Sequence, residues 1–126
     1  MRWEAVRQHM RERLREHGFA DLDVTHLAIF QYPGPHHERP SDLAARLGAS
    51  KQSVNYQLGE LERLGYLERR DDPDDLRSRR VALTRRGEAA VATIRAAVRE
   101  VEREWERRLG RERFTELCAM LRELGE

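Results

Sequence analysis

At 126 residues the chain is long enough for one domain with a core, and short enough to gain from a partner. It is 37% charged and 39% hydrophobic with one cysteine, which excludes a disulfide framework within a monomer. The net charge is +1, and no apolar run follows Met1-Arg2-Trp3-Glu4, so a secretory signal or membrane span is excluded and a soluble, cytoplasmic protein is expected.

The first helix is predicted from about Arg2 to His17, with Trp3, Val6, Met10 and Leu14 on one side and arginines elsewhere, and Gly18 stops it. So narrow an apolar stripe on so charged a helix argues for packing on another helix. Phe19 to Leu22 connects to a second helix that Asp23 can cap and whose buried side is Val24, Leu27 and Phe30. Pro33-Gly34-Pro35-His36-His37 then breaks the chain. The paired histidines, with His26, invite a metal reading. Adjacent side chains of an extended loop point in opposite directions and no zinc-type spacing is present, so a solvated loop is expected and no metal is assigned.

Pro40 to Leu47 reads as a short helix with proline at its first position, Asp42 near the positive end of its dipole, and Leu43, Ala44 and Leu47 inward. Gly48-Ala49-Ser50 makes a tight turn in which the Ser50 hydroxyl can cap the next helix. Val54, Leu58 and Leu61 form the apolar stripe of that helix at i, i+4, i+7, and 100° per residue places Gln52, Asn55, Tyr56 and Gly59 opposite. The outward face is polar yet nearly uncharged, whereas ordinary faces of this chain are crowded with Arg and Glu. Such a face suits the reading of hydrogen-bond donors and acceptors.

Gly65 ends the helix. Tyr66 to Arg70 and Arg79 to Leu83 can each be extended, with the Asp/Pro-rich run 71–75 between them as a loop. Two short helices joined by a glycine turn and followed by an arginine-edged hairpin make a winged helix-turn-helix. Thr84 can cap a long helix carrying Val91, Ile94, Val98, Val101, Trp105 and Arg108 or Leu109 at alternating spacings of three and four. Gly110 interrupts it, and Phe114, Leu117, Leu121 and Leu124 stripe a last helix. The expected fold class is therefore mainly α with a small β-hairpin wing, and with terminal helices left to pair.

Charge is distributed unevenly: residues 39–86 hold 11 Lys and Arg against 8 Asp and Glu, the remainder 13 against 15. Lys51 is the only lysine among the 24 basic residues, and it opposes the dipole at the start of the polar-faced helix, where a phosphate contact would give it a reason. No Gly-rich phosphate loop, nucleophile elbow or zinc-protease helix occurs, so neither an enzyme nor a cofactor is expected. Cys118, beside Leu117 and Ala119, reads as a buried small hydrophobe before a redox sensor.

Several of these segments together resemble the MarR family of bacterial transcription regulators. The resemblance lies in Pro40-Ser41-Asp42-Leu43-Ala44, Ser50-Lys51-Gln52-Ser53-Val54, Leu61-Glu62-Arg63-Leu64-Gly65-Tyr66-Leu67, Asp75-Leu76-Arg77-Ser78-Arg79 and Leu83-Thr84-Arg85-Arg86-Gly87. Arg39 departs from it, standing where a capping Ser or Thr is common, and so does Leu76, where a charged residue is frequent. The resemblance implies one MarR-like domain over 1–126, with a winged helix-turn-helix lobe at 24–84 and a helical dimerisation region at 1–18 and 85–126.

The implied function is a homodimeric, sequence-specific regulator of transcription, a repressor, bound to an inverted repeat in double-stranded DNA. Ser50, Lys51, Gln52, Ser53, Asn55 and Tyr56 would meet the major groove and Arg77 and Arg79 the minor groove, with Asp75 pairing an arginine to shape the wing. Trp3, Val6, Met10, Phe114, Leu117 and Leu121 are assigned to dimerisation, as stripes with no home inside one chain. As in ligand-responsive members, Trp3, His26, Tyr32 and Trp105 could line a pocket for a small aromatic effector, the alternative being that they are core. The competing function is a winged-helix protein-protein interaction module with only residual DNA affinity.

Overall fold

The computed structural model describes residues 3–30 and 37–125. Six helices and one hairpin follow in the order α1 (Trp3–Glu16), α2 (Val24–Phe30), α3 (Pro40–Leu47), α4 (Lys51–Arg63), β1 (Leu67–Asp72), β2 (Asp75–Leu83), α5 (Arg85–Leu109) and α6 (Arg111–Gly125). No described helix is long and apolar enough to cross a membrane.

The boundaries have local causes. Pro40 opens α3, and Gly48 closes it at φ 65°, a left-handed position that costs glycine nothing. Ser50 caps α4, its hydroxyl accepting from the Ser53 amide at 3.1 Å, and Thr84 caps α5 by accepting from the Gly87 amide at 3.1 Å. Each cap contributes about 1 kcal/mol. Arg39 sits at the N-cap position of α3 without a side-chain cap bond. Its guanidinium goes elsewhere, to the wing.

One core runs through the chain. Leu27 and Phe30 of α2, Leu43 and Ala44 of α3, and Val54, Leu58 and Leu61 of α4 are buried, as the spacing predicts, and with Ile29, which the spacing does not mark, they pack against Tyr66, Leu67 and Val81 of the hairpin and its approach. A single antiparallel bridge between Glu38 and Val81 ties the approach to α3 onto the wing, the Val81 amide donating to the Glu38 carbonyl at 2.8 Å. Eight of these side chains, Ile29, Phe30, Leu43, Val54, Leu58, Leu61, Tyr66 and Val81, are at most 1% exposed. Truncating any of them should cost several kcal/mol.

Two expectations are corrected. The stripe of α1 was expected to lack a home within one chain, but Val6, Met10 and Leu14 are buried in the common core, where α1 packs along α5 beside Val91, Ile94 and Ala97. The reason is length: α5, with 25 residues, extends well beyond the winged lobe and runs along the apolar stripe of α1. The run 71–75 was expected to be a loop, but Asp71, Asp72 and Asp75 belong to strands and only Pro73-Asp74 turns. Asp72 is fully buried there, and its charge is met by two arginines.

Candidate nucleic-acid interface

The polar face of α4 is exposed as its period requires: Lys51, Gln52, Ser53, Asn55, Tyr56 and Gly59 all face solvent, and Tyr56 is 68% exposed. The opposite face is anchored by Val54, Leu58 and Leu61, each at most 1% exposed, so the helix cannot roll. Ser50, the remaining residue assigned to this surface, is exposed and caps the helix.

The hairpin pairs in register from Leu67 with Leu83 to Asp71 with Arg79, and then shifts so that Asp72 meets Asp75. Residues 76–78 are the excess on β2. Arg77 lies in that bulge and Arg79 at its base, both exposed. Arg79 Nε is 3.7 Å from Asp71 across the hairpin, a loose pair between side chains 65% and 77% exposed, which a competing phosphate could replace at little cost.

Asp75 accepts from the Arg77 amide at 3.0 Å and so fixes the start of the bulge through the backbone. The carboxylate gripped most firmly by arginines is Asp72, a residue sequence reasoning did not single out. Arg39 Nη2 is 3.0 Å from Asp72 Oδ2, Arg80 Nε is 3.2 Å from Oδ1, and the Asp74 amide donates to Oδ1 at 2.9 Å. The amide bond first, then Arg80 and Arg39, hold the Asp72 carboxyl down to about 2 despite its burial. Arg39, a departure at the cap, is thereby the strut between α3 and the wing.

The root of the wing is held by a second cluster. Tyr66 donates its hydroxyl to Asp21, Arg86 pairs with Asp21 at 3.2 Å, and the guanidinium lies 4.3 Å from the Tyr66 ring centroid. Burial alone would raise the Asp21 carboxyl, but Tyr66 and Arg86 prevail and hold it below its ordinary value. Burial and then Asp21 push the Tyr66 hydroxyl upward. Thr84 donates to the Gly65 carbonyl at 2.5 Å, and its amide to that of Tyr66 at 3.1 Å.

His26 is buried at 4% exposure, and its Nε2 is 2.9 Å from Glu60 Oε2 of α4. Trp105 is half-buried and lines an open cleft of about 1030 Å³ between α1, α5 and α6, together with Val6, His9, Glu100 and Arg111. His26 does not line it, so the structure does not bring these two proposed effector residues together. Tyr32 lies outside the described residues, as do His36 and the side chain of Trp3.

On α6, Phe114, Leu117 and Cys118 are half-buried, while Met120, Leu121 and Leu124 are 52%, 45% and 87% exposed. Cys118 is thus only partly covered, short of the burial expected for it. At the base of the cleft, Glu100 accepts from Arg13 at 2.9 Å and faces His9 at 2.7 Å, and Arg13 first, then His9, hold its carboxyl below the usual range.

A capped helix with an exposed, nearly uncharged polar face, set beside an arginine-edged hairpin whose shape is fixed by ion pairs to the buried Asp72, defines a winged helix-turn-helix protein. The model of the MarR family matches residues 34–78. YkoM of Bacillus subtilis (strain 168), named an uncharacterized HTH-type transcriptional regulator, is 32% identical over 85 residues, which are 68% of this chain and 54% of YkoM. The chain thus spans about half the length of that curated relative. The crystal structure of the MarR family transcription regulator SP03579 superposes with a TM-score of 0.75 at 28% identity, over 96% of this chain and 78% of that one. The MepR–DNA complex of S. aureus gives 0.72 at 22% identity, over 96% and 90%, a likeness of fold alone. The chain belongs to the MarR family.

Proposed function

We propose that the protein is a homodimeric, sequence-specific DNA-binding transcriptional regulator, acting as a repressor in the cytoplasm. The observation that carries this reading is the face of α4: six exposed residues, from Lys51 to Gly59, that include a single charge on a chain 37% charged. Gln52 and Asn55 suit paired hydrogen bonds to adenine in the major groove, with Ser50, Lys51, Ser53 and Tyr56 around them. Arg77 and Arg79 suit the narrow minor groove, where negative potential is concentrated and base edges are degenerate. MepR, a protein of the same fold, has been crystallised with DNA.

In this reading residues 24–84 form the DNA-binding lobe and 85–126 the dimerisation region, with 1–18 packed on α5 of the same chain. Phe114, Leu117 and Leu121 of α6 supply the self-contact, since no residue of that helix is buried in one chain. A second copy covers them and closes the cleft beside Trp105. An effector, where one acts, is a small aromatic molecule bound near that cleft, and it acts by binding the DNA-competent and incompetent dimers unequally. No residue is assigned a catalytic role.

A footprint over the region upstream of the protein's own gene tests the proposal. Protection should fall on a near-palindrome with half-sites centred about 10 bp apart. Absence of a footprint at concentrations where the dimer is saturated, with a bound protein recovered instead, would favour an interaction module.

A further inference from the structure

A chain of hydrogen bonds fixes the polarity of one side chain on the outward face of α4. The Asp23 amide donates to His26 Nδ1 at 3.1 Å, so that nitrogen is an acceptor and the ring proton of a neutral imidazole sits on Nε2. His26 Nε2, 2.9 Å from Glu60 Oε2, is therefore the donor of that bond. Glu60, held ionised below the ordinary carboxylate range first by His26 and then by Tyr56, can only accept. Its other oxygen receives the Tyr56 hydroxyl proton at 3.2 Å.

The consequence reaches the surface. A phenol has one proton, and here it is committed inward, so the 68% exposed Tyr56 presents only lone pairs outward. In the major groove the groups that can meet lone pairs are the exocyclic amines, N6 of adenine and N4 of cytosine; O4 of thymine and O6 and N7 of guanine repel them. We propose that Tyr56 is a specificity residue that selects an adenine or cytosine amino group on the contacted strand, with Glu60 and His26 as positioning residues that set its polarity. This assignment rests on the DNA-binding reading above.

The same geometry dictates what Glu60→Gln does. The Gln oxygen must accept from His26, which turns its amide nitrogen toward Tyr56. That nitrogen donates to the phenol oxygen and frees the hydroxyl proton to point outward. Tyr56 then becomes a donor, suited to guanine or thymine at the same position. Tyr56→Phe removes the polar atom and leaves the fold untouched, since the residue is exposed.

Selection from random duplex DNA with the full-length wild type, Tyr56→Phe and Glu60→Gln tests the proposal. The wild type should enrich a motif with A or C at one position per half-site, preferred about three- to tenfold as one neutral hydrogen bond allows. Tyr56→Phe should accept all four bases at that position alone, and Glu60→Gln should prefer G or T there. A motif unchanged in Tyr56→Phe, or an A/C preference retained in Glu60→Gln, overturns the assignment. A wild type that enriches no motif fails the DNA-binding reading itself, and this proposal with it. Imidazole ¹⁵N shifts of the free wild-type protein give a check independent of DNA: His26 should show a protonated Nε2 and a bare Nδ1, and the opposite tautomer overturns the proposal.

Discussion

Replacing Gly87 with alanine should destabilise the fold, against the direction helix propensity alone would give. Gly87 is the third residue of α5, where alanine is otherwise favoured over glycine by up to about 1 kcal/mol. A Cβ built there would stand 2.0 Å from the Tyr66 carbonyl oxygen and 3.0 Å from Leu83 Cδ2, and real Cβ atoms come no closer than 3.0 Å. The start of α5 and the entry to β1 must then part by about 1 Å. The obstacle is backbone, so no side chain can step aside.

Parting them stretches the 3.1 Å bond from the Thr84 amide to the same Tyr66 carbonyl, leaving a backbone acceptor unsatisfied at the wing root. Overpacking of this kind costs about 1–3 kcal/mol, and the lost bond about 1 more. A matched control exists in Gly59, in the interior of α4, where a Cβ would meet nothing within 4 Å. Gly59→Ala should stabilise by about 0.5–1 kcal/mol. Urea denaturation followed by helical circular dichroism, at one protein concentration because association shifts the midpoint, reads both. A Gly87→Ala midpoint at or above that of the wild type would refute the close approach.

The carboxyls of Asp21, Glu60, Asp72 and Glu100 are all depressed in the folded chain, so their contribution is present above the unfolded value near pH 4 and lost as pH falls through the folded ones. Wild-type stability should therefore fall between about pH 5 and pH 2, the last part of the loss belonging to Asp72. Asp72→Asn should be less stable at pH 7 and show a shallower acid limb; a limb of unchanged slope below pH 4 would show that Asp72 is not the wing's buried anion. If α6 is the self-contact, sedimentation should find a dimer at micromolar concentration, and Leu121→Asp a monomer that keeps its helical signal. A wild-type monomer throughout that range removes the dimer from the account. Cys118→Ser should leave release from the operator unchanged, and loss of an oxidant response in that variant would give the thiol a role.

What the sequence made legible was periodic or local. The 100° repeat of Val54, Leu58 and Leu61 sufficed to place the outward face of α4, and the caps at Ser50 and Thr84 follow from hydroxyls at helix starts. The failures share a cause, because each depends on a partner distant in sequence. The Asp/Pro-rich run read as a loop, and nothing nearby in sequence showed that one cation compensating Asp72, Arg39, lies 33 residues before it. The Glu60 to His26 bond spans 34 residues, and the Tyr66 to Asp21 bond 45. An apolar stripe reports that a helix is covered, not by which chain, so α1 was assigned to a partner although α5 covers it. An Arg where a cap is usual was the one local sign that a side chain was needed elsewhere.

The central claim is that α4 chooses the sequence while the wing supplies affinity. Titrating Gln52→Ala, Asn55→Ala, Arg77→Ala and Arg79→Ala against operator and random DNA at several salt concentrations tests it most directly. The helix variants should lose about 1–3 kcal/mol on the operator and almost nothing on random DNA. The wing variants should weaken both and flatten the salt dependence by at most about one unit of slope per monomer. Wing variants that lost only operator binding, with helix variants that lost both equally, would contradict the account.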